Sequence, residues 1–233
     1  MERHFDQLLN DLKSELLRMG GAVEASISEA IKALVDRDND LAQHVIDDGD
    51  RIDDWEVKIE EDCLKLLAIQ QPVASDLRVI TTTMKVNYDL ERINDQAVNI
   101  AQRAQRLNEM PLLKPLIDIP RMAELTRSMV RDALDGLVQR KVELAKDVIK
   151  RDEQVDLLRD QIFRELLTYM NATAGGDDVD RGIYLILVSR HLERIGDHAS
   201  NIAENVVFLA EGRIVRHQKE QMRAEIDSAR GSG

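Results

Sequence analysis

Residues 91–101 read ERINDQAVNIA, and residues 193–203 read ERIGDHASNIA, an offset of 102 residues. Eight of these eleven positions are identical, which is far above chance for a fixed offset. A second pair of segments, DRID at 50–53 and EQVD at 153–156, aligns at an offset of 103. Because both segments recur in the same order and at nearly the same spacing, the sequence predicts the duplication of one structural unit.

The repeated segment lies on an apolar pattern that is typical of a packed helix. In both copies the apolar residues step four and three positions in alternation: Val86, Leu90, Ile93, Ala97, Ile100, Ala104 and Leu107, then Val188, Leu192, Ile195, Ala199, Ile202, Val206 and Leu209. Such a seam is what the core of an antiparallel helical bundle requires. We therefore predict an all-α fold of six long helices, arranged as two tandem three-helix bundles.

The prolines divide the chain. Only four occur, and three of them lie in residues 111–120. We expect an N-terminal bundle over 1–110, a proline-rich connection over 111–120, a C-terminal bundle over 121–217 and a frayed tail over 218–233. Apolar periodicity and turn residues predict helices near 3–36, 40–70, 72–107, 119–140, 142–170 and 178–215.

Composition excludes several classes of protein. With 32 Lys+Arg against 44 Asp+Glu the net charge is −12, which disfavours a general affinity for nucleic acid or anionic lipid. The sequence has neither a long apolar run nor an apolar N-terminal segment, so we expect a cytoplasmic protein without membrane insertion. The single cysteine, Cys63, excludes intrachain disulfides, and its place on an apolar helical stripe predicts a buried packing thiol.

The repeat places two carboxylates on one face of the third helix in each half. At about 100° per residue, Glu91 and Asp95 lie one turn apart and point away from the apolar seam. Glu193 and Asp197 repeat this arrangement. Like charges four residues apart on a helix repel by roughly 0.2–0.5 kcal/mol. A cation shared by the two carboxylates would remove this penalty in both halves.

The second helix of each half supplies further carboxylates. Asp152 and Asp156 are four residues apart in the C-terminal half, and the matching positions in the N-terminal half are Gly49 and Asp53, beside Asp50. If helices two and three are antiparallel neighbours, each half can converge three or four carboxylates on one external patch. Oxygen ligands favour Mg²⁺, Ca²⁺, Mn²⁺ or iron.

Two asparagines extend the same pattern. Asn99 and Asn201 each lie four residues after the second acid of the repeated pair. They can add an amide ligand or a contact that orients a carboxylate.

A solvated surface is the main alternative to a metal site. Residues 47–62 hold nine acids against Arg51 and Lys58, so some of these acids are plain surface charge. None of the five histidines follows a glutamate by three residues, so the Glu-x-x-His signature of core di-iron bundles is absent. His198 is interpreted as a surface residue. We find no Gly-rich phosphate loop and no nucleophile–base pair.

In these motifs the chain resembles the PhoU family of phosphate-transport accessory and regulatory proteins, over about residues 5–215. The resemblance rests on the E-x-x-x-D motif of each repeat, on QPVASDLR at 71–78 and on RMGG at 18–21. It implies metal bound to the acidic motifs, including multinuclear iron clusters. Iron is the expected metal, and zinc, manganese, magnesium, calcium and nickel are the alternatives.

The expected metal ligands are carboxylates of both repeats. They are Glu193, Asp197, Asp152, Asp156, Glu91, Asp95, Asp53 and Asp50, with Asn99 and Asn201 in a secondary role. The sequence departs from the family pattern at Gly49, where an acid is expected. The C-terminal half is therefore predicted to hold the more complete site.

The resemblance also implies a function. It implies a cytosolic, non-enzymatic homodimer that links the ATPase subunit of the phosphate ABC transporter to the sensor histidine kinase of the phosphate regulon. Such a protein is a negative regulator of two-component signalling, and hence of transcription, when phosphate is plentiful. The rival hypothesis is a metal-dependent enzyme or a metal store, against which the outward-facing, histidine-free ligands argue. A purely structural bundle is a third hypothesis, but it leaves the repeated like-charge pairs unexplained.

Overall fold

The computed structural model describes residues 2–172 and 176–215, and within them the chain forms seven α-helices. The helices are α1 (Glu2–Val35), α2 (Asn39–Asp47), α3 (Gly49–Gln70), α4 (Ala74–Asn108), α5 (Asp118–Gln139), α6 (Val142–Ala172) and α7 (Gly176–Glu211). No helix among the described residues combines the length and the apolar character needed to cross a membrane. The predicted tail, 218–233, lies outside the described residues.

The predicted all-α fold of two three-helix units is confirmed, with one difference. The second helix of the N-terminal half is divided at Asp48 into α2 and α3, whereas its counterpart, α6, is continuous. The division falls in the sequence Asp47-Asp48-Gly49-Asp50, where glycine and aspartate are both poor helix formers. In α6 the equivalent residues, 150–153, read KRDE, which has no glycine and contains three good helix formers, Lys150, Arg151 and Glu153.

The predicted apolar seams form the centre of the molecule. All fourteen residues of the two seams on α4 and α7 are buried, and buried residues of both halves form one continuous core. The two seam helices run antiparallel to each other, because Asp89 contacts His198 while Gln96 contacts His191. Cys63 is fully buried, and burial raises the pKa of its thiol to about 12, so the predicted packing role is confirmed.

The first helix of each half ends in the same turn. Arg37 follows α1 with φ 59°, and Arg140 follows α5 with φ 51°, so both residues adopt the left-handed conformation. These positions are equivalent in the repeat, at an offset of 103. Arg37 Nη2 donates hydrogen bonds of 2.6 Å to the carbonyl oxygens of Asn108 and Met110. The arginine thereby fixes the start of the connection between the halves against the end of α1.

The glycine pair in α1 gives a test of how closely the halves pack. A Cβ atom on Gly20 would lie 2.5 Å from Cδ1 of Leu134 on α5, whereas one on Gly21 would meet nothing within 4 Å. Gly21→Ala is expected to raise the free energy of unfolding by about 0.5–1 kcal/mol through helix propensity. Gly20→Ala must displace Leu134, so its free energy of unfolding is expected to fall about 1–3 kcal/mol below that of Gly21→Ala. Urea denaturation of both variants measures the difference, and equal stabilisation by the two would contradict close packing at Gly20.

Candidate metal centre

Three carboxylates converge on the outer side of the N-terminal half. Glu91 and Asp95 lie one turn apart on α4, and Asp53 lies on the adjacent helix α3. One oxygen from each of these residues, here called the acidic triad, lies within 4.8 Å of the others. Two oxygens bound to one Ca²⁺ or Mg²⁺ ion are separated by at most about 4–5 Å, since each lies about 2.0–2.6 Å from the ion. The triad therefore has the spacing of three ligands for a single hard cation.

The triad carries more negative charge than its surroundings compensate. Burial first, then the charges of the neighbouring Asp95 and Glu56, raise the pKa of Glu91 to about 7, while Arg92 opposes them. Burial, followed by the charges of Asp95 and Asp50, also raises the pKa of Asp53. Both shifts report that a carboxylate held close to like charges is costly to ionise. A bound cation would reverse this effect and favour the ionised form.

One arginine already contacts the triad. Arg92 Nε lies 3.2 Å from Oε2 of Glu91, and Arg92 Nη1 lies 3.3 Å from Oδ2 of Asp95. The guanidinium is largely exposed and also lies over the ring of Tyr88, with 5.0 Å between Cζ and the ring centroid. Exposed ion pairs of this kind contribute little, about 0–1 kcal/mol. Arg92 therefore compensates the triad only in part.

An arginine lies between the corresponding carboxylates of the C-terminal half. Arg159 Nη1 donates to Oδ1 of Asp156 at 3.0 Å and to Oε1 of Glu193 at 2.7 Å. The equivalent residue in the N-terminal half, at an offset of 103, is Glu56. Burial and Asp197 raise the pKa of Glu193, but Arg159 lowers it. Arg159 thus supplies the positive charge that a metal ion would otherwise supply.

The geometry reverses the order of the two halves expected from the sequence. Among the described residues, the acidic triad is the group of three carboxylates spaced for a metal, and the C-terminal acids form no such group. Asp197 is exposed, and Asp156 and Glu193 are bridged by Arg159. The prediction of a more complete C-terminal site counted acids and overlooked the base between them, and the spacing favours the N-terminal half instead.

The family model of the PhoU domain matches this chain twice, over residues 16–104 and 119–206. The chain belongs to the PhoU family. A relative from Pseudomonas aeruginosa, called a phosphate-specific transport system accessory protein PhoU homolog, is 39% identical over 235 residues, covering 99% of this chain and 96% of its own. A relative of the same name from Aquifex aeolicus is 42% identical over 210 residues, covering 90% of this chain and 94% of its own.

Solved structures of PhoU proteins have the same fold. The crystal structure of PhoU from Pseudomonas aeruginosa superposes with a TM-score of 0.86 at 40% identity, covering 90% of this chain and 100% of that one. The structure of the phosphate transport system regulatory protein PhoU from Streptococcus pneumoniae superposes with a TM-score of 0.83 at 30% identity, covering 91% and 99% of the two chains.

The departure of the first PhoU repeat from the pattern at Gly49 is explained by packing. A Cβ atom on Gly49 would lie 3.2 Å from Cγ2 of Val98 on α4. The equivalent pair in the second repeat is Asp152 and Ser200, so the large neighbour Val98 on α4 is replaced by a small residue on α7. Asp152 is only 6% exposed. This residue therefore lies within the packed helices rather than on the external patch on which it was expected.

Three other expected ligands lie outside the acidic triad. Asp50 is exposed and acts on the triad only by raising the pKa of Asp53. Asn99 Nδ2 donates to the carbonyl oxygen of Asp95 at 2.7 Å, so this amide is tied to the backbone of α4. Asn201 Nδ2 donates to Oδ1 of Asp89 at 3.3 Å, which turns it toward the contact between α4 and α7. The two asparagines occupy equivalent positions of the two PhoU repeats but make different hydrogen bonds.

Two polar contacts between the PhoU repeats were not predicted from the sequence. His198 Nδ1 lies 2.9 Å from Oδ1 of Asp89, and His191 Nδ1 lies 2.9 Å from Oε1 of Gln96. Burial, with Arg103, Arg194 and Arg190 nearby, lowers the pKa of His191 to about 4. At an offset of 102, residue 89 is equivalent to 191 and residue 96 to 198. The two contacts are thus copies of one contact, and the repeat offset was the signal that could have paired these residues.

Proposed function

We propose that this protein is a non-enzymatic, cytoplasmic regulator of a phosphate-specific transport system. The observation that carries the proposal is the match of the PhoU domain to both halves, with relatives about 40% identical along nearly their whole length. The names of these relatives describe an accessory protein of a transport system rather than a catalyst. An accessory protein acts through contacts with other proteins, which suits two packed bundles with charged faces.

The proposal includes the partners. The protein binds the ATPase subunit of the phosphate ABC transporter and the sensor histidine kinase of the phosphate regulon, and it restrains the kinase when phosphate is plentiful. It acts as a homodimer. These statements rest on the family resemblance, and the two structurally similar halves support them by offering related but distinct surfaces to different partners.

Metal binding at the acidic triad is the second part of the proposal. Asp53, Glu91 and Asp95 fit a cation by spacing, and burial together with the charge of Asp95 raises the pKa of Glu91, so an ionised carboxylate is costly there without a cation. The donor set consists of oxygen atoms only, which suits iron, Mn²⁺, Mg²⁺ or Ca²⁺ better than zinc or nickel. A bound cation would neutralise this face and hold α3 against α4, and so would fix one surface of the regulator.

Deletion of the coding gene tests the regulatory role. Cells grown with abundant phosphate are expected to express a phosphate-regulon reporter at a raised level after deletion, and the wild-type gene is expected to restore repression. Purified protein is expected to bind the purified ATPase subunit and the cytoplasmic part of the kinase. Unchanged reporter output together with no binding to either partner would contradict the proposal. Turnover by the metal-loaded protein, lost on chelation, would instead favour the metal-dependent enzyme.

A further inference from the structure

A groove at the junction of the two halves is open on the surface. It is lined by α1, α4, the end of α5 and the end of α7, and it forms a cavity of about 80 Å³. Leu17 and Val138 on its walls are 37% and 56% exposed. Lys13 and Arg140 stand at its edge, and no acidic residue lines it. We call it the α1–α5 groove.

The internal duplication supplies a second copy of this groove, and that copy is occupied. Leu137, Arg140 and Leu209 of the α1–α5 groove correspond to Leu34, Arg37 and Leu107, at offsets of 103 and 102. These three counterparts line a cavity of only about 20 Å³. The space is smaller because the non-helical connection between the halves lies there, with its residues Pro111, Leu112 and Leu113.

Backbone carbonyl groups of the connection bind arginines in the occupied copy. Arg37 donates to the carbonyl oxygens of Asn108 and Met110, and Arg181 Nη1 donates to that of Pro111 at 2.9 Å. Hydrogen bonds from a charged donor are among the stronger ones in proteins. The occupied copy therefore shows what this kind of groove holds, namely a non-helical apolar segment with its carbonyl groups directed at the arginine after the first helix.

The α1–α5 groove retains the same arginine without an acceptor. Arg140 adopts the same left-handed turn as Arg37, but among the described side chains and carbonyl groups it has no hydrogen-bond or ion-pair partner. Thr82 is 1% exposed, and its buried hydroxyl oxygen also has no partner. A buried hydroxyl without a partner costs about 1–3 kcal/mol. The exposed guanidinium of Arg140 is therefore available to an occupant.

The differences between the two copies indicate the charge of the occupant. Lys13 replaces Leu116, and Thr83 replaces Leu185, so the open copy is more polar and more basic than the occupied one. Lys13 has no ion-pair partner among the side chains that the structure describes. Two uncompensated cations beside an apolar floor, in a chain of net charge −12, are complementary to an apolar segment that carries an acid.

We propose that the α1–α5 groove binds a non-helical apolar segment of a partner protein that carries an acidic side chain. Its backbone carbonyl groups accept hydrogen bonds from Arg140, as the connection does from Arg37, and its carboxylate pairs with Lys13. The apolar side chains of the segment cover Leu17 and Val138.

The connection itself supplies the probe. A fluorescein-labelled peptide with the sequence of residues 108–116, NEMPLLKPL, is prepared with Glu109→Gln in every version, and with either Lys114→Glu or, as a neutral match, Lys114→Gln. Full-length protein is expected to bind the Glu peptide saturably in fluorescence anisotropy and to bind the Gln peptide about tenfold more weakly. Arg140→Ala is expected to weaken both peptides about tenfold, because it removes a charged donor. Lys13→Ala is expected to weaken only the Glu peptide.

Matched variants separate a groove effect from a general one. Arg140→Gly removes the same guanidinium but suits the left-handed turn, so loss of binding with an intact fold is expected in this variant as well. Lys32→Ala on α1 and Arg121→Ala on α5 remove exposed cations outside the groove, and unchanged affinity is expected. Circular dichroism checks the fold of each variant.

Three results would overturn the proposal. The first is no binding of either peptide at millimolar protein, or the same affinity for all variants. The second is that dodecanoate binds and loses affinity in Arg140→Ala and Lys13→Ala, while the affinity of the peptides does not change in these variants. This result would assign the groove to a small amphiphilic anion. The third is a change of sedimentation coefficient on Arg140→Gly, which would assign the groove to a second copy of this chain.

Discussion

Glu91→Gln and Asp95→Asn are each expected to lower the affinity of the protein for Mn²⁺ by about 100-fold, equivalent to roughly 2.7 kcal/mol. Each change removes one charged oxygen donor from a triad whose oxygens lie within 4.8 Å of one another, and it leaves the shape of the side chain unchanged. Neutral amides bind hard cations less strongly than carboxylates do. Isothermal titration calorimetry on protein stripped with a chelator measures the effect.

The C-terminal half offers matched controls for this measurement. Glu193→Gln and Asp197→Asn change the equivalent residues of the second repeat, where Arg159 already holds Glu193 at 2.7 Å. Their effect on Mn²⁺ affinity is expected to be smaller than about threefold. Equal losses in both halves, or a loss confined to the C-terminal changes, would contradict the assignment of the metal to the acidic triad.

Exchanging the charges of positions 56 and 159 is expected to move metal binding between the halves. Glu56→Arg places a guanidinium beside Asp53 and Glu91, where Arg159 stands in the other repeat, and is expected to weaken Mn²⁺ binding about tenfold or more. Arg159→Glu removes the bridge between Asp156 and Glu193 and is expected to increase the amount of metal bound per chain. Equilibrium dialysis followed by elemental analysis measures that amount.

Neutral substitutions control for the charge exchange. Glu56→Gln and Arg159→Gln change the same positions without reversing the charge, so each is expected to have a smaller effect than its charge-reversed partner. We infer that the positive charge of Arg159 replaces that of a bound cation. This inference is contradicted if Arg159→Glu binds the same amount of metal per chain as the wild-type protein while keeping its helical content. It is also contradicted if Glu56→Arg binds Mn²⁺ as tightly as the wild-type protein.

The sequence predicted the fold well because helix periodicity is a local property. Ile93 and Ile195 occupy the same register of two seams, and this register alone identified the buried face of α4 and of α7. The division of the second helix at Asp48 was missed, although its signal was local too. The apolar stripe resumes after Gly49. Apolar periodicity is therefore the same for one continuous helix and for two helices separated by a single weak turn.

The positions of the carboxylates could be predicted from the sequence, but the arginine that neutralises them in one half could not. The spacing of Glu91 and Asp95 on one helix placed both on the outer face, and Asp53 was expected beside them, where one oxygen of each residue lies within 4.8 Å of the others. The contact between Arg159 and Glu193 joins residues 34 positions apart on different helices, and periodicity within one helix contains no information about it. The repeat did contain a signal, because Glu56 and Arg159 are equivalent positions of opposite charge.

The contacts of His198 with Asp89 and of His191 with Gln96 have a consequence for assembly. In a symmetric dimer of two identical repeats, the same pair of residues would form the contact at both ends of the helix pair. Such a dimer would also dissociate on dilution. Covalent linkage allows the sequences of the two copies to diverge. The contact between α4 and α7 therefore has an acid–imidazole pair at one end and an amide–imidazole pair at the other. Linkage also gives this contact an effective concentration in the millimolar range. The halves therefore remain joined at any protein concentration, and the unequal pairs distinguish one end of the α4–α7 contact from the other.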